Sequence, residues 1–244
     1  HVICDKPLTA TLEDARKLAA IKPAKGAKFL LTHNYTGYPL VRQARELVKS
    51  GALGKIRVVQ VEYPQDWLSA PADPGNKQAA WRTDPKRSGA GGAIGDIGTH
   101  AYNLARFVTG LKTDAVSADL QSFVKGRKVD DNVHILLRFV GGARGMLWAS
   151  QVAPGNENGL QLRVYGEKAG LNWRQDNPNQ MWFTELGKPA QLLTRGGAIS
   201  QPPAASMNVR IPGGHPEGYL EAFATLYSQF AEVIRGTGKA YVPL

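Results

Sequence analysis

The sequence predicts an α+β architecture: a large, open, mainly antiparallel sheet with helices on one face, appended to the tail of a parallel α/β unit. Three observations predict it. A strand–helix–strand pattern fills the first thirty or so residues. Strand-like runs over 115–123, 133–139, 144–150, 160–166, 170–174 and 180–186 follow one another, several separated by short turns with Gly or Asn, which is the mark of a meander. Amphipathic helical patterns bracket that run, and a strand pattern joins it from the amino-terminal side.

The elements follow in order. Val2, Ile3 and Cys4 form a short apolar run, a buried strand stopped by Pro7. Thr11 caps a helix, with Asp14 in the capping-box position. Leu12, Ala15, Leu18, Ala19 and Ile21 give that helix an apolar face, and Lys25-Gly26 closes it. A second buried strand spans 28–32, completing one βαβ unit. Both strands are apolar throughout and call for parallel neighbours and flanking helices that the sequence does not supply. The chain opens on His1 and carries no signal peptide, so the sequence predicts the later part of a longer polypeptide. Pro39 then starts a helix that Gly51 ends. A half-buried strand spans 55–63, and 64–92 is a long loop holding Trp67 and Trp81. A helix near 96–108 stops at Gly110. After the meander, 187–216 is a Pro- and Gly-rich loop, and a last helix over 217–235 presents Tyr219, Phe223, Leu226, Phe230 and Ile234 on one face.

Composition narrows the function classes. The 244 residues carry 30 Lys+Arg against 20 Asp+Glu, a formal charge of +10, with 43% apolar residues. That is ordinary globular composition. The basic residues are scattered, without a run of five or six like charges, which reads as a solvated surface and not a nucleic-acid groove. No uninterrupted apolar run is long enough to span a bilayer. The single Cys4 excludes an intramolecular disulfide and a cysteine-based zinc site, and a reducing compartment is the simplest reading.

Few residues could carry chemistry. Asp96 and His100 stand at i and i+4, which on a helix puts both on one face. Gly91, Gly92 and Gly95 precede them and allow backbone to approach a ligand. The competing reading is that Asp96 caps the helix and His100 hydrogen-bonds within the core. A metal site is a third possibility, although His33, His134 and His215 are far apart in sequence and give no second close pair. Lys6 sits at the carboxyl end of a parallel strand, where open α/β sheets place ligands, or else is a surface lysine in a turn. Arg82 beside Trp81 could clamp a phosphate or a sugar hydroxyl with the indole stacked on a ring, or else Trp81 fills a core gap and Arg82 is its exposed neighbour.

Taken together, Asp5-Lys6-Pro7, Asn34, the Gly51-Ala52-Leu53-Gly54-Lys55-Ile56 strand approach, Trp81-Arg82, Ser88-Gly89 with Gly91-Gly92, and Asp96-x-Gly98-x-His100 resemble the glucose–fructose oxidoreductase/inositol dehydrogenase/MocA family. The segments 76–103 and 214–219 are similar to a levoglucosan-dehydrogenase-like branch acting on sugars and anhydrosugars. The resemblance implies an enzyme using NAD or NADP to oxidise a hydroxyl of a sugar, anhydrosugar or polyol. It implies that 1–34 is the end of a dinucleotide-binding Rossmann domain and that 35–244 is a substrate-binding and oligomerisation domain. Lys6 would lie by the nicotinamide and the reacting hydroxyl. Asp96 and His100 would bind that hydroxyl, with His100 the general base and Asp96 raising its basicity and fixing its tautomer. Lys6, Pro7, Trp81 and Arg82 fall on the cofactor side; Asn34, Tyr35, Trp81, Asn103 and His215 fall on the substrate side.

Two departures stand out. Asp5 takes the place of the commoner Glu, and no G-x-G-x-x-G opens a helix after a strand anywhere in the sequence. The expectation is therefore that the chain alone is inactive and that the intact enzyme is a homo-oligomer paired through the open sheet face. Its partner would be a small carbohydrate, with neither nucleic acid nor membrane. Its location would be cytoplasmic, with export left open. The alternatives are a non-catalytic sugar- or partner-binding module using the open sheet, and a metal-dependent hydrolase.

Overall fold

The computed structural model describes residues 1–73, 75–197 and 209–238. β1 (Val2–Asp5) and β2 (Phe29–Thr32) pair in parallel, Val2 opposite Phe29 and Asp5 opposite Thr32, joined by α1 (Leu12–Ala20). Thr11 caps α1 by accepting the Asp14 N–H. The helix ends several residues before Lys25-Gly26, because Pro23 offers no N–H and biases Lys22 away from the helical region. The apolar face expected of this unit is not covered by the described residues: α1 buries no residue, and Val2, Ile3, Leu12 and Ile21 are exposed.

The second sheet has eight strands. β3 (Ile56–Pro64), β4 (Thr113–Gln121), β5 (Asn132–Phe139), β6 (Arg144–Ser150), β7 (Gln161–Gly166), β8 (Ala169–Arg174), β9 (Gln180–Glu185) and β10 (Gln191–Thr194) lie in the order β10-β9-β8-β7-β3-β6-β5-β4. β3 and β6 pair in parallel, and every other neighbouring pair is antiparallel. The sheet stays open. Two findings differ from the sequence reading. The long loop holds two single-turn helices, α3 (Lys77–Arg82) and α4 (Pro85–Ser88), and β10 falls within the stretch read as loop. The rest of that stretch over 198–208, and the apolar end of the chain over 239–244, lie outside the described residues.

Helices α2 (Pro39–Lys49) and α5 (Thr99–Thr109) cover one face. Pro39 occupies the first turn of α2, and Gly110 closes α5 in the left-handed region at φ 69. The core beneath them takes Leu40, Val41 and Ala44 from α2 and Ala101, Leu104, Ala105 and Val108 from α5. Val59, Val61, Leu147, Leu162, Val164, Leu171 and Trp173 enter it from the strands. Residues of β3 alternate accordingly, Val59, Val61 and Tyr63 inward and Val58, Gln60 and Glu62 outward. Among the described residues nothing covers the outward face, where Val58, Leu136, Tyr165, Trp182 and Leu192 are exposed. The last helix, α6 (Tyr219–Arg235), lies across a 3-10 turn (Asn34–Gly37) that follows β2. The crossing is close enough to require a glycine, since a Cβ on Gly37 would stand 2.2 Å from the Ala222 carbonyl oxygen.

Candidate active site

Three segments that are remote in sequence meet at one cavity of about 280 Å³. The carboxyl end of β1 contributes Asp5 and Lys6, the 3-10 turn contributes Asn34 and Tyr35, and a π-helical turn (Ile94–Gly98) running into α5 contributes Asp96, Ile97 and His100. Tyr63, Gln65 and Trp67 enter from the end of β3, Arg82 from α3, and Tyr219 and Phe223 from the first turns of α6.

Asp96 organises the cavity without capping the helix. Its carboxylate, 8% exposed, accepts from the Lys6 ammonium at 2.8 Å, from Arg82 Nε at 2.8 Å and from Gln151 Nε2 at 2.9 Å. Lys6 also donates to the Asp96 backbone carbonyl at 2.8 Å. Two cations thus share one carboxylate in a half-closed setting where charge-assisted hydrogen bonds are strong. The Lys6–Pro7 peptide is cis, and the Lys6 N–H and the Thr32 hydroxyl both donate to Asp5 Oδ1 at 2.8 Å, tying the two parallel strands together beneath the site.

The π-helical turn is held from below by Asp130. Its two carboxylate oxygens accept the N–H groups of Gly92 and Ile94 at 2.7 and 2.8 Å, and its carbonyl accepts that of Ala93 at 2.9 Å. Burial pushes the Asp130 carboxyl up, against those two backbone donors. Gly91 and Gly92 serve packing here: a Cβ on Gly92 would lie 2.0 Å from the Asp130 carbonyl oxygen, and one on Gly91 would lie 2.9 Å from Ile94 Cγ2.

His100 stands among rings, with His33 at 5.6 Å and Tyr35 at 4.8 Å, both edge-on, and Tyr63 tilted at 6.3 Å. Its Nδ1 is buried without a hydrogen-bond partner. Asp96 spends its carboxylate on Lys6, Arg82 and Gln151, so it does not fix the imidazole tautomer as the resemblance implied. Burial first, then Lys6, then His33 hold the His100 pKa well below its ordinary value. At neutral pH the ring is therefore a neutral base. His33 is pulled down to about 4, mainly by burial and then by Lys6, with Asp5 pulling weakly the other way.

These lowered values have a stability consequence with a definite sign. Unfolded histidine titrates near 6.5. Below that pH the unfolded chain binds protons that the folded chain refuses, so stability is complete above pH 6.5 and drains as the pH falls towards about 4, where folded His33 begins to accept the proton. The expected loss from His33 alone is about 2 kcal/mol between pH 6.5 and pH 5, and His100 adds loss of the same sign. Urea midpoints of the chain and of His33→Gln across that window measure it. A wild-type midpoint unchanged down to pH 5 would show that the two rings are not held neutral.

The structure thus brings Lys6, Arg82, Asp96, His100, Asn34 and Tyr35 to one cavity. Four other sequence candidates lie elsewhere. Trp81 packs beneath Arg82, its ring centre 4.3 Å from the guanidinium carbon, and it is Trp67 that lines the cavity. Arg82 directs Nε at Asp96 and Nη1 at Gln78, so it braces the cavity wall. Pro7 follows Lys6 without lining the cavity, and Asn103 sits half-buried one turn beyond His100. His215 is exposed at a second hollow with Asn179 and Arg195, where its carbonyl accepts from Arg195. Tyr63, Gln65, Trp67, Gln151, Tyr219 and Phe223 were not singled out from sequence as site residues. The first three share one strand face at two-residue spacing, a signal visible once the alternation of β3 is carried past Pro64. Among the described residues, no three His, Cys, Asp or Glu side chains come together as metal ligands, and no helix is long and apolar enough to cross a membrane.

A nicotinamide fits what is present. The cavity opens at the carboxyl end of a parallel strand pair, where such rings bind in open α/β sheets. Its lining holds buried polar atoms that have no hydrogen-bond partner among the described residues, Asn34 Nδ2 and His100 Nδ1.

Comparison with known proteins agrees. Residues 41–172 match the model of the GFO/IDH/MocA C-terminal domain. The chain belongs to this family. A solved oxidoreductase from Sinorhizobium meliloti is 52% identical with a TM-score of 0.86, over 99% of this chain and 64% of that one. An inositol dehydrogenase homologue from Azotobacter vinelandii, solved with NADH and myo-inositol, is 37% identical with a TM-score of 0.88, over 97% of this chain and 60% of that one. The levoglucosan dehydrogenase of Pseudarthrobacter phenanthrenivorans is 28% identical over 74% of this chain and 51% of its own length. The chain therefore spans half to two-thirds of these relatives. The open sheet with helices on one face is the family architecture they share.

Proposed function

We propose that this GFO/IDH/MocA chain is the substrate-side portion of an oxidoreductase that oxidises a hydroxyl of a sugar, anhydrosugar or polyol with NAD or NADP as hydride acceptor. The observation that carries the reading is the convergence of Lys6 and His100, 94 residues apart, on one cavity braced by Asp96. The relatives that bind NADH, myo-inositol or levoglucosan support it.

Each side chain has a role that its surroundings allow. His100, kept neutral by burial and by Lys6, takes the hydroxyl proton. Lys6 places its side-chain nitrogen beside the reacting oxygen and stabilises the alkoxide character that develops there. Asp96 holds that side chain in place, and Arg82 braces Asp96. When bound, the nicotinamide supplies the hydride acceptor. Lys6 is the residue of this chain placed to flank it, at the end of β1, and Tyr219 and Phe223 close the cavity against water from the side of α6. The division at residue 34, with the parallel pair on the cofactor side and the large sheet on the substrate side, belongs to the same reading. So does a homo-oligomer formed through the uncovered face of the large sheet, in the reducing cytoplasm, where the half-buried Cys4 stays a thiol.

The test is NAD(P)H formation with inositols and anhydrosugars in a polypeptide that carries a dinucleotide-binding domain ahead of this chain, alongside the 244-residue chain itself. Turnover is expected in the former and none in the latter, since no G-x-G-x-x-G opens a helix after a strand in the 244 residues to hold a pyrophosphate. Lys6→Met and His100→Gln should each lower kcat about a hundredfold or more with the circular dichroism unchanged. Light scattering should give a multiple of the protomer mass. Sugar binding with no turnover, and no effect of either substitution, would instead establish a binding module.

A further inference from the structure

The cavity wall contains a hydrogen-bond chain whose direction is fixed at one end. Trp67 Nε1 is a donor that cannot accept, and it donates to Gln65 Oε1 at 3.0 Å. With its oxygen so engaged, Gln65 presents its amide nitrogen to Asn158 Oδ1 at 2.9 Å. The same Asn158 oxygen accepts from the Tyr63 hydroxyl at 2.6 Å, while the Asn158 nitrogen donates onward to Gln175 Oε1 at 2.7 Å. Tyr63 has one proton and gives it to Asn158. The contact between the Tyr63 and Tyr35 hydroxyls must then run the other way, with Tyr35 donating and Tyr63 accepting. The single hydroxyl proton of Tyr35 is consumed within the protein, and its oxygen keeps only lone pairs.

Tyr35, Tyr63, Gln65 and Trp67 all line the cavity, and reversing the order would turn the Gln65 amide N–H against the Trp67 indole N–H, donor against donor. Asn34, the neighbour of Tyr35, lines the same cavity with an unpartnered amide nitrogen, a donor awaiting an acceptor. We infer that Tyr35 is an acceptor-only specificity contact, its polarity set by Trp67 through Gln65, Asn158 and Tyr63, so that the cavity selects a ligand presenting a hydroxyl proton at this point and disfavours one presenting an ether, a keto oxygen or fluorine. The class of ligand rests on the polyol reading above; the order of the protons rests on donor and acceptor chemistry alone.

Neutron diffraction from deuterium-exchanged crystals of the chain decides the order directly. The Tyr35 deuteron is expected to point at Tyr63 Oη, and the Tyr63 deuteron at Asn158. A Tyr35 deuteron directed into the cavity would overturn the inference. Gln65→Glu supplies the reversal: a carboxylate still accepts from the indole but forces Asn158 to turn its nitrogen inward, which sends the Tyr63 proton to Tyr35 and the Tyr35 proton into the cavity. Should that variant fail to fold, Trp67→Phe removes the fixed donor, and the deuteron should then be shared between both directions; a deuteron still wholly on the Tyr63 side would mean that Trp67 does not set the order. Calorimetry with myo-inositol and its singly fluorinated analogues reads the selectivity. At one position the wild type should lose about tenfold or more in affinity, and Gln65→Glu should shrink that loss to about threefold or less. An equal loss in both proteins counts against the contact. Failure of myo-inositol to bind at all would count against the polyol reading, while the neutron map would still settle the proton order.

Discussion

Asp96→Ala is expected to destabilise the folded chain by about 4 kcal/mol, a large fraction of the stability of a domain this size. The Lys6 and Arg82 side chains are only 15% and 20% exposed, and Asp96 is the carboxylate that neutralises both. Removing it leaves two cations facing each other around a vacated site and also strips the Gln151 amide of its acceptor. Breaking such a pair costs more than the pair was worth, because the penalty is an uncompensated charge away from water. Asp96→Asn keeps the shape and one oxygen acceptor, so it should lose roughly half as much. Adding Lys6→Met to Asp96→Ala should recover part of the loss, because it removes one of the stranded charges. Urea midpoints of the three variants measure this directly. A loss below about 1 kcal/mol for Asp96→Ala would place the cluster among solvent-screened surface pairs and would remove the physical basis for Lys6 being held at the cavity.

Much of the fold was legible because its boundaries rest on local chemistry. Thr11, Pro39 and Gly110 start or stop helices through a side-chain cap, a missing N–H and a left-handed φ, and each is visible from a few residues. The elements missed were those too short to show a period. Asn76 and Asp84 do cap single turns, and Pro85 sits in the first turn of α4, yet four to six residues cannot display a helical face. β10 is a four-residue edge strand followed, after Arg195, by Gly196 and Gly197, so its surroundings read as loop. The parallel pairing of β3 with β6, residues 58–64 against 144–150, is set by tertiary packing and leaves no local trace.

The candidate site divides along the same line. Lys6, Asp96 and His100 stood out through motif resemblance, and the i, i+4 spacing put the latter two near one another. What the spacing could not show is what Asp96 does there. Its partners are 14, 55 and 90 residues away, so the choice between cap and ion-pair hub is made by the fold. The lowered pKa of His100 is likewise a property of burial among the rings and the lysine around it, which come from the ends of β1 and β2, from β3 and from the 3-10 turn. His215, chosen by its neighbourhood in a motif, is carried to a different hollow by the turn that precedes α6.

Gly92→Ala is expected to cost about 3 kcal/mol, while Gly95→Ala, three residues on in the same turn, should fall within about 0.5 kcal/mol of wild type. Both are glycines of one motif, and sequence alone gives them the same meaning. The structure separates them. A Cβ on Gly92 would sit 2.0 Å from the Asp130 carbonyl oxygen and 2.7 Å from Val129 Cγ2, and the first of these is backbone that cannot rotate away. A Cβ on Gly95 meets nothing within 4 Å. Relief at Gly92 requires the segment to move off Asp130, and the hydrogen bonds from Gly92, Ala93 and Ile94 to that residue would lengthen together. The Asp96 N–H is bonded to the Gly92 carbonyl at 2.9 Å, so the displacement reaches the carboxylate that holds Lys6 and Arg82. Denaturant midpoints give the stability difference, and the crystal structure of Gly92→Ala gives the Lys6–Asp96 separation, expected to exceed 4 Å, beyond ion-pair reach. Equal midpoints for the two alanine variants would mean that the turn floats free of Asp130. The geometry of the cavity would then have to be set from the sheet side alone, through Gln151 at the end of β6.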